Sequence, residues 1–226
     1  MININSNFVK YLTTNSNEVL DYLDTSERGL SQSESKKRNK IHGLNLIKSK
    51  RTTVLSLLWR QVLGNPLVLI LAIATTASYL MGQKTSAYYI FGMIILSVAL
   101  GFWNEFAAER TVKDLLKKVS MYAVVERDGI RMEIPVANLT IGDIVYLAPG
   151  SIVPADLRLI EANGLETNQS NLTGESKTAF KTDHAIKKNV TSVNDYDNIA
   201  FMSTTITSGS GRGVVIAIGR QTEFGK

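Results

Sequence analysis

The chain has 226 residues, a formal net charge of +5 and no cysteine, which excludes disulfides and thiolate metal sites. Its two histidines, His42 and His184, stand far apart, which argues against a histidine metal centre and makes both expected surface residues. The positive charge is mild and dispersed, unlike that of a nucleic-acid binder, and suits a membrane protein with basic cytoplasmic flanks.

The first stretch, MININSNFVKYLTTNSNEVL, holds no apolar run with a cleavage site, so no secretory signal is read there. GLSQSESKKRNKIHGLN predicts a short helix. Ser31 caps it, Glu34 completes a capping box and pairs with Arg38 four residues on, and Gly43 ends it. Two uncharged stretches follow, between Arg60 and Lys84 and between Lys84 and Glu105. Each approaches the roughly 20 residues a spanning helix needs. They predict two transmembrane helices, at about 61–83 and 85–104, joined by the polar GQKTS. Either alone could be a buried soluble helix; two in tandem argue for a membrane hairpin. Lys48, Lys50, Arg51 and Arg60 before it and Arg110, Lys113, Lys117 and Lys118 after it place both ends in the cytoplasm. Trp59 and Trp103 suit the headgroup layer, and Pro66 lies early enough in its span to be tolerated.

NEFAAERTVKDLLKKVS keeps helical spacing in Phe106, Val112, Leu115, Leu116 and Val119 and is expected to continue the second span into the cytoplasm. The texture then changes. MYAVVERDGIRMEIPV predicts two strands about an Asp128-Gly129 turn, and DIVYL, LRLIEA, AFMSTTIT and GVVIAIG predict more. KTDHAIKKNVTSVNDYDN lacks apolar periodicity and reads as a surface loop. The expected organisation is an N-terminal cytoplasmic helical segment at 1–50, the hairpin with its helical extensions at 51–118, and a compact β domain at 119–226.

SNLTGESKTAF, Ser170 to Phe180, holds the chemistry-bearing motif. Gly174 permits close backbone approach, Glu175 can orient a water or take a proton, and Thr173 and Ser176 can hydrogen-bond nearby. Alone, the motif reads better as a Thr/Ser-capped surface turn. With its neighbours, it resembles the dephosphorylation loop of the P-type ATPase actuator domain. GDIVYLAPGSIVPADLRLIEA, with Gly142-Asp143 and Pro154-Ala155-Asp156, resembles the segment before that loop. NQSNLTGES resembles its approach, and SGSGRGVVIAIGRQTEFGK the end of the domain. Gly29, Leu30, Ser31, Glu34, Arg38, Gly43 and Asn45 are similar to the N-terminal cation-transporter segment. The resemblance covers about Gly29 to Lys226. Ser151, Thr178 and Ser203 depart from the usual Asp, Pro and Gly, which touches turn geometry more than chemistry.

The resemblance implies a membrane α-helical hairpin plus a mostly β, distorted jelly-roll-like cytoplasmic actuator domain. It implies an integral protein of the plasma membrane that couples ATP hydrolysis to cation transport, with Glu175 activating the water that hydrolyses an aspartyl-phosphate. ATP and Mg2+ would serve the full-length pump and bind elsewhere than on this chain. The partners implied are membrane lipid, the transported cation, and phosphorylation and nucleotide-binding domains of the same pump; no nucleic acid is implied. No Asp-Lys-Thr-Gly sequence occurs here, so the chain alone is expected to be inactive. The alternative is a non-catalytic, membrane-anchored actuator fragment that binds or regulates a full pump. For the ion, LGFWNEFAAERTVKDLLKKVS and the last segments look closest to magnesium transporters, with calcium or proton next. Glu105 and Glu109, at the cytoplasmic end of the second span, are candidates for an ion-entry port, or acids that simply face water or pair with Arg110. SGSGRG lacks the Gly-Lys-Ser/Thr ending of a phosphate loop and reads as a turn between strands.

Overall fold

The computed structural model describes residues 6–47, 59, 63–118, 121–174, 178–186 and 196–226. It divides into two compact units: Met1–Lys48 with Met121–Lys226, and Ser49–Ser120.

The first unit opens with three short helices, α1 (Ser6–Thr13), α2 (Ser16–Tyr22) and α3 (Gln32–His42). The expected Ser31 cap and Gly43 stop of α3 are present, but the capping box is half made, because the Glu34 carboxylate faces Arg38 and Lys37. Ser31 accepts the Glu34 N–H at 3.1 Å, Arg38 reaches Glu34 at 3.1 Å, and Gly43 closes the helix at φ 84°.

Among the described residues seven strands form one sheet: β1 (Tyr122–Arg127), β2 (Ile130–Pro135), β3 (Ile144–Leu147), β4 (Asp156–Asn168), β5 (Thr178–Phe180), β6 (Ile199–Ala200) and β7 (Thr205–Ala217). Their order is β2-β1-β3-β7-β4-β5, with β6 also on β4, and every strand pair is antiparallel. Asp128 and Gly129, at φ 53° and 71°, make the expected primed turn of the β1–β2 hairpin. One apolar cluster, including Val125, Leu139, Leu157, Leu159, Leu165 and Val215, fills one side of the sheet. A second joins Ile144, Phe201, Val214 and Ile216 to Leu12, Val19, Leu20 and Leu23 of the helices.

Two sequence expectations fail in this unit. SGSGRG is no turn: residues 208–213 run inside β7 and pair with β4. Glycine is needed there for closeness. A Cβ on Gly209 would lie 2.1 Å from the Gly164 oxygen, and one on Gly211 2.4 Å from the Glu161 oxygen. Nor is KTDHAIKKNVTSVNDYDN simply a surface loop: Lys181, Tyr196 and Asn198 are buried, while 187–195 lie outside the described residues. His42 and His184 are exposed, as expected.

The second unit holds α4 (Pro66–Leu80) and α5 (Lys84–Lys118). Asn65 caps α4 by accepting the Leu67 N–H at 3.1 Å, with Pro66 at the first helical position. Helix α5 runs unbroken for 35 residues, so the expected continuation of the second span is present. Its Lys84–Ala108 part is long and apolar enough to cross a bilayer. Of the first expected span the described residues show α4, apolar over its 15 residues, while residues 60–62 lie outside the described ones.

Candidate functional site

The motif singled out in the sequence sits in the loop of a β-hairpin. β4 pairs with β5 through Asn168↔Thr178, Thr167↔Ala179 and Glu166↔Phe180, so both stems of the loop are held in the sheet. At its entry the Asn168 side chain accepts the Ser170 N–H at 2.9 Å, an Asx turn that starts the single helical turn α6 (Ser170–Thr173). The Gly174 N–H returns to the Ser170 carbonyl at 2.9 Å. Gly174 itself lies at φ 76°, ψ −6°, the left-handed end of the turn, and is exposed. A Cβ there would meet no described residue within 4 Å. Backbone angle, not lack of room, calls for glycine, at about 1–2 kcal/mol for any L side chain. Glu175 and Ser176 lie outside the described residues, as does the Thr173 side chain.

A second anchor comes from the β6–β7 connection. The Asn171 amide donates to the Ser203 carbonyl at 3.0 Å, and Ser203 keeps a positive φ of 70° although it is not glycine. Asp156, buried at the start of β4, holds the same connection. Its carboxylate accepts the Met202 N–H at 2.8 Å and the Glu223 N–H at 2.7 Å. Burial outweighs these two donors and pushes its pKa up to about 6. Thus Asp156 fixes the turn that carries Ser203, and Ser203 holds Asn171 in the loop.

Other buried polar side chains lock the unit together. Arg127 and Asp143 form a two-point ion pair at 2.9 and 2.7 Å, and Asp143 also accepts the Thr140 N–H at 2.9 Å. Arg158 donates to the carbonyls of Tyr11 at 2.8 Å, Thr14 at 3.0 Å and Asp183 at 3.1 Å, and burial lowers its pKa to about 10. Asn198 donates to Leu12 at 2.8 Å and His184 at 2.9 Å. Lys181 gives a hydrogen bond to the Tyr196 carbonyl at 2.9 Å, and burial pushes its pKa down to about 8. Nothing in the sequence marks Lys181 or Arg158 as interior, because their partners are distant backbone carbonyls. The motif residues Asp143 and Asp156 were visible as a pattern, but not their partners.

Glu105 is half-buried on α5, in the other unit, and the Glu109 side chain lies outside the described part. Among the described residues no three His, Asp or Glu side chains gather in a way that could hold a metal ion.

The family model for the P-type ATPase actuator domain matches residues 117–226, and the model for the cation transporter/ATPase N-terminus matches residues 13–78. Calcium-transporting ATPase 1 of Schizosaccharomyces pombe is 40% identical over 201 residues, 88% of this chain and 22% of that protein. The calcium-transporting ATPase of Bacillus subtilis is 36% identical over 220 residues, covering 96% and 25%. The probable cation-transporting ATPase F of Mycobacterium tuberculosis is 38% identical over 199 residues, covering 88% and 22%. The chain therefore spans 22–25% of the length of these relatives.

Proposed function

The chain carries the N-terminal segment and actuator domain of the P-type cation ATPases, and from that premise we propose that its Thr173–Ser176 loop serves aspartyl-phosphate hydrolysis in a calcium-translocating pump. The observation that carries this reading is the loop's build. A one-turn helix, anchored by Asn168 and Asn171, ends at the exposed, left-handed Gly174 with open space beside it, and Glu175 is the next residue.

The chemistry asked of Glu175 is modest. A water oxygen attacks phosphorus, the bond from phosphorus to the aspartyl oxygen breaks, and the aspartate leaves as carboxylate. Glu175 takes the water's proton and aims its lone pair. Positioning and electrostatics dominate phosphoryl transfer, so a loop held at both stems is suited to it. The phosphorylated aspartate, bound nucleotide and its magnesium belong to other parts of the pump.

For the ion, the sequence leaning toward magnesium gives way to calcium. Two of the three relatives above are named calcium transporters, the third a cation transporter, and none a magnesium transporter.

The test uses the full-length pump. Glu175→Gln is expected to form phosphoenzyme from ATP normally and to slow its decay by about 10²–10⁴-fold. Wild-type decay in that variant refutes the loop assignment. Stimulation of turnover by calcium at fixed Mg-ATP supports the ion; its absence refutes calcium while leaving the loop untouched.

A further inference from the structure

Helix α3 has a fixed inner face. Ser35 is buried, Arg38 donates to the carbonyls of Leu23 at 2.7 Å, Asp24 at 3.1 Å and Ile141 at 3.2 Å, and Asn39 donates to Asn138 at 3.0 Å. With that face pinned, helical spacing turns Lys36, Lys37, Lys40 and Ile41 outward, and all four are exposed. The helix's one acid, Glu34, is engaged by Arg38 at 3.1 Å and by Lys37 at 3.7 Å. The stripe is therefore cationic.

The segment after α3 is apolar and also faces out. Asn45 is buried, donating to Val136 at 3.1 Å and Pro154 at 2.9 Å and accepting the Gly219 N–H at 2.9 Å. This pin leaves its neighbours outside: Leu44 is 51% exposed, Leu46 48%, Ile47 43%, and Ile41 on the helix 69%. Leu44 and Leu46 line a cavity of about 290 Å³ with His42, Ile218 and the exposed Arg220. Exposed apolar side chains at 41, 44, 46 and 47 thus follow directly on three exposed lysines in the chain, and Arg220 lines the cavity with Leu44 and Leu46. Water alone does not call for this combination, and burial in the unit's own core does not provide for it.

We propose that this face binds an anionic lipid bilayer surface, with the lysines at the headgroup phosphates and Ile41, Leu44, Leu46 and Ile47 at the acyl boundary. The charge is complementary to anionic lipid, and cations flanking exposed aliphatic groups are the signature of interfacial docking. The chain also runs on from here through Lys48, Lys50 and Arg51 toward its apolar stretch. The inference is independent of the role of Glu175.

The absence of cysteine allows single-site labels. The full chain, reconstituted in nanodiscs of phosphatidylcholine alone or mixed with phosphatidylglycerol, would carry a polarity-sensitive fluorophore at Leu44→Cys or, as control, at Ile130→Cys on the exposed β1–β2 turn. In mixed discs the label at position 44 is expected to shift to the blue and be quenched by brominated acyl chains; the label at 130 is not. Each lysine contributes roughly fivefold to partition at an anionic surface, so Lys36→Glu, Lys37→Glu and Lys40→Glu together should abolish the signal with an unchanged unfolding midpoint. High salt should weaken it in the wild type, independently of any variant's folding. A water-like label at 44 in mixed discs overturns the proposal. So does equal quenching in neutral discs or in the charge-reversed chain, or a signal that needs an added acidic protein.

Discussion

The two compact units treat the same kind of residue in opposite ways. In the β-rich unit the aliphatic side chains of Val125, Leu139, Leu157, Leu159 and Val215 are fully buried, and Asp143, Asp156 and Arg158 are buried with them. In the helical unit Ile73, Leu80, Met93, Leu96 and Trp103 are exposed, and only 6% of the apolar Lys84–Ala108 window is covered. The difference follows from backbone hydrogen bonding. A helix satisfies its own N–H and C=O groups and can face an apolar solvent, whereas strands need neighbours and a shared interior. The β unit is thus specified by its interior polar ties, and the helical unit by what surrounds it.

Three experiments bear on this contrast. The largest effect is expected from Asp143→Ala, which leaves Arg127 buried without its carboxylate. Such a change should cost the β unit about 3–5 kcal/mol, read as a lowered denaturant midpoint. An unchanged midpoint means the buried ion pair does not hold the unit together. Next, Leu96→Arg places a charge on the outward face of α5, where mid-bilayer arginine costs about 2.5–3.5 kcal/mol of insertion. Reduced membrane integration with an unchanged midpoint for the β unit would sharpen the contrast; undiminished integration would break it.

The smallest effect is in pH dependence. Asp156 has a folded pKa of about 6, above its unfolded value. Between pH 4 and 6 the native state keeps a proton that the unfolded chain has lost, so this group's contribution makes stability fall as pH rises through that window. The expected change is about 2–3 kcal/mol, and Asp156→Asn should remove it. A wild type and variant with parallel stability–pH curves would show that Asp156 does not titrate in this way.

Much of the local structure was legible. Ser31 capped α3, Glu34 paired with Arg38 and Gly43 closed the helix as their spacing predicts, though the Glu34 carboxylate turned to Arg38 and Lys37 rather than back to the Ser31 N–H; Asp128-Gly129 turned a hairpin, and α5 continued through its charged end. The loop motif was legible as a pattern at Thr173 to Ser176, and its stems and Gly174 now have geometry. Where reading failed, long-range packing decided. The glycines of SGSGRG suggested a turn, but they serve a strand crossing close to β4. Lys181 lay in a polar stretch, yet the Tyr196 carbonyl draws it inside.

The sequence by itself determined the caps, the primed turn and the long apolar helix. Each depends on residues within a few positions of one another, where dihedral preference and hydrogen-bond reach are local. Only the tertiary structure decided that Arg158 reaches Tyr11 and Thr14, that Asp156 holds the turn bearing Ser203, and that Asn45 leaves Leu44 and Leu46 facing outward. Those contacts join residues from 46 to 174 positions apart. They come into being only when the sheet register places a backbone carbonyl or N–H beside a side chain that spacing alone would leave in water.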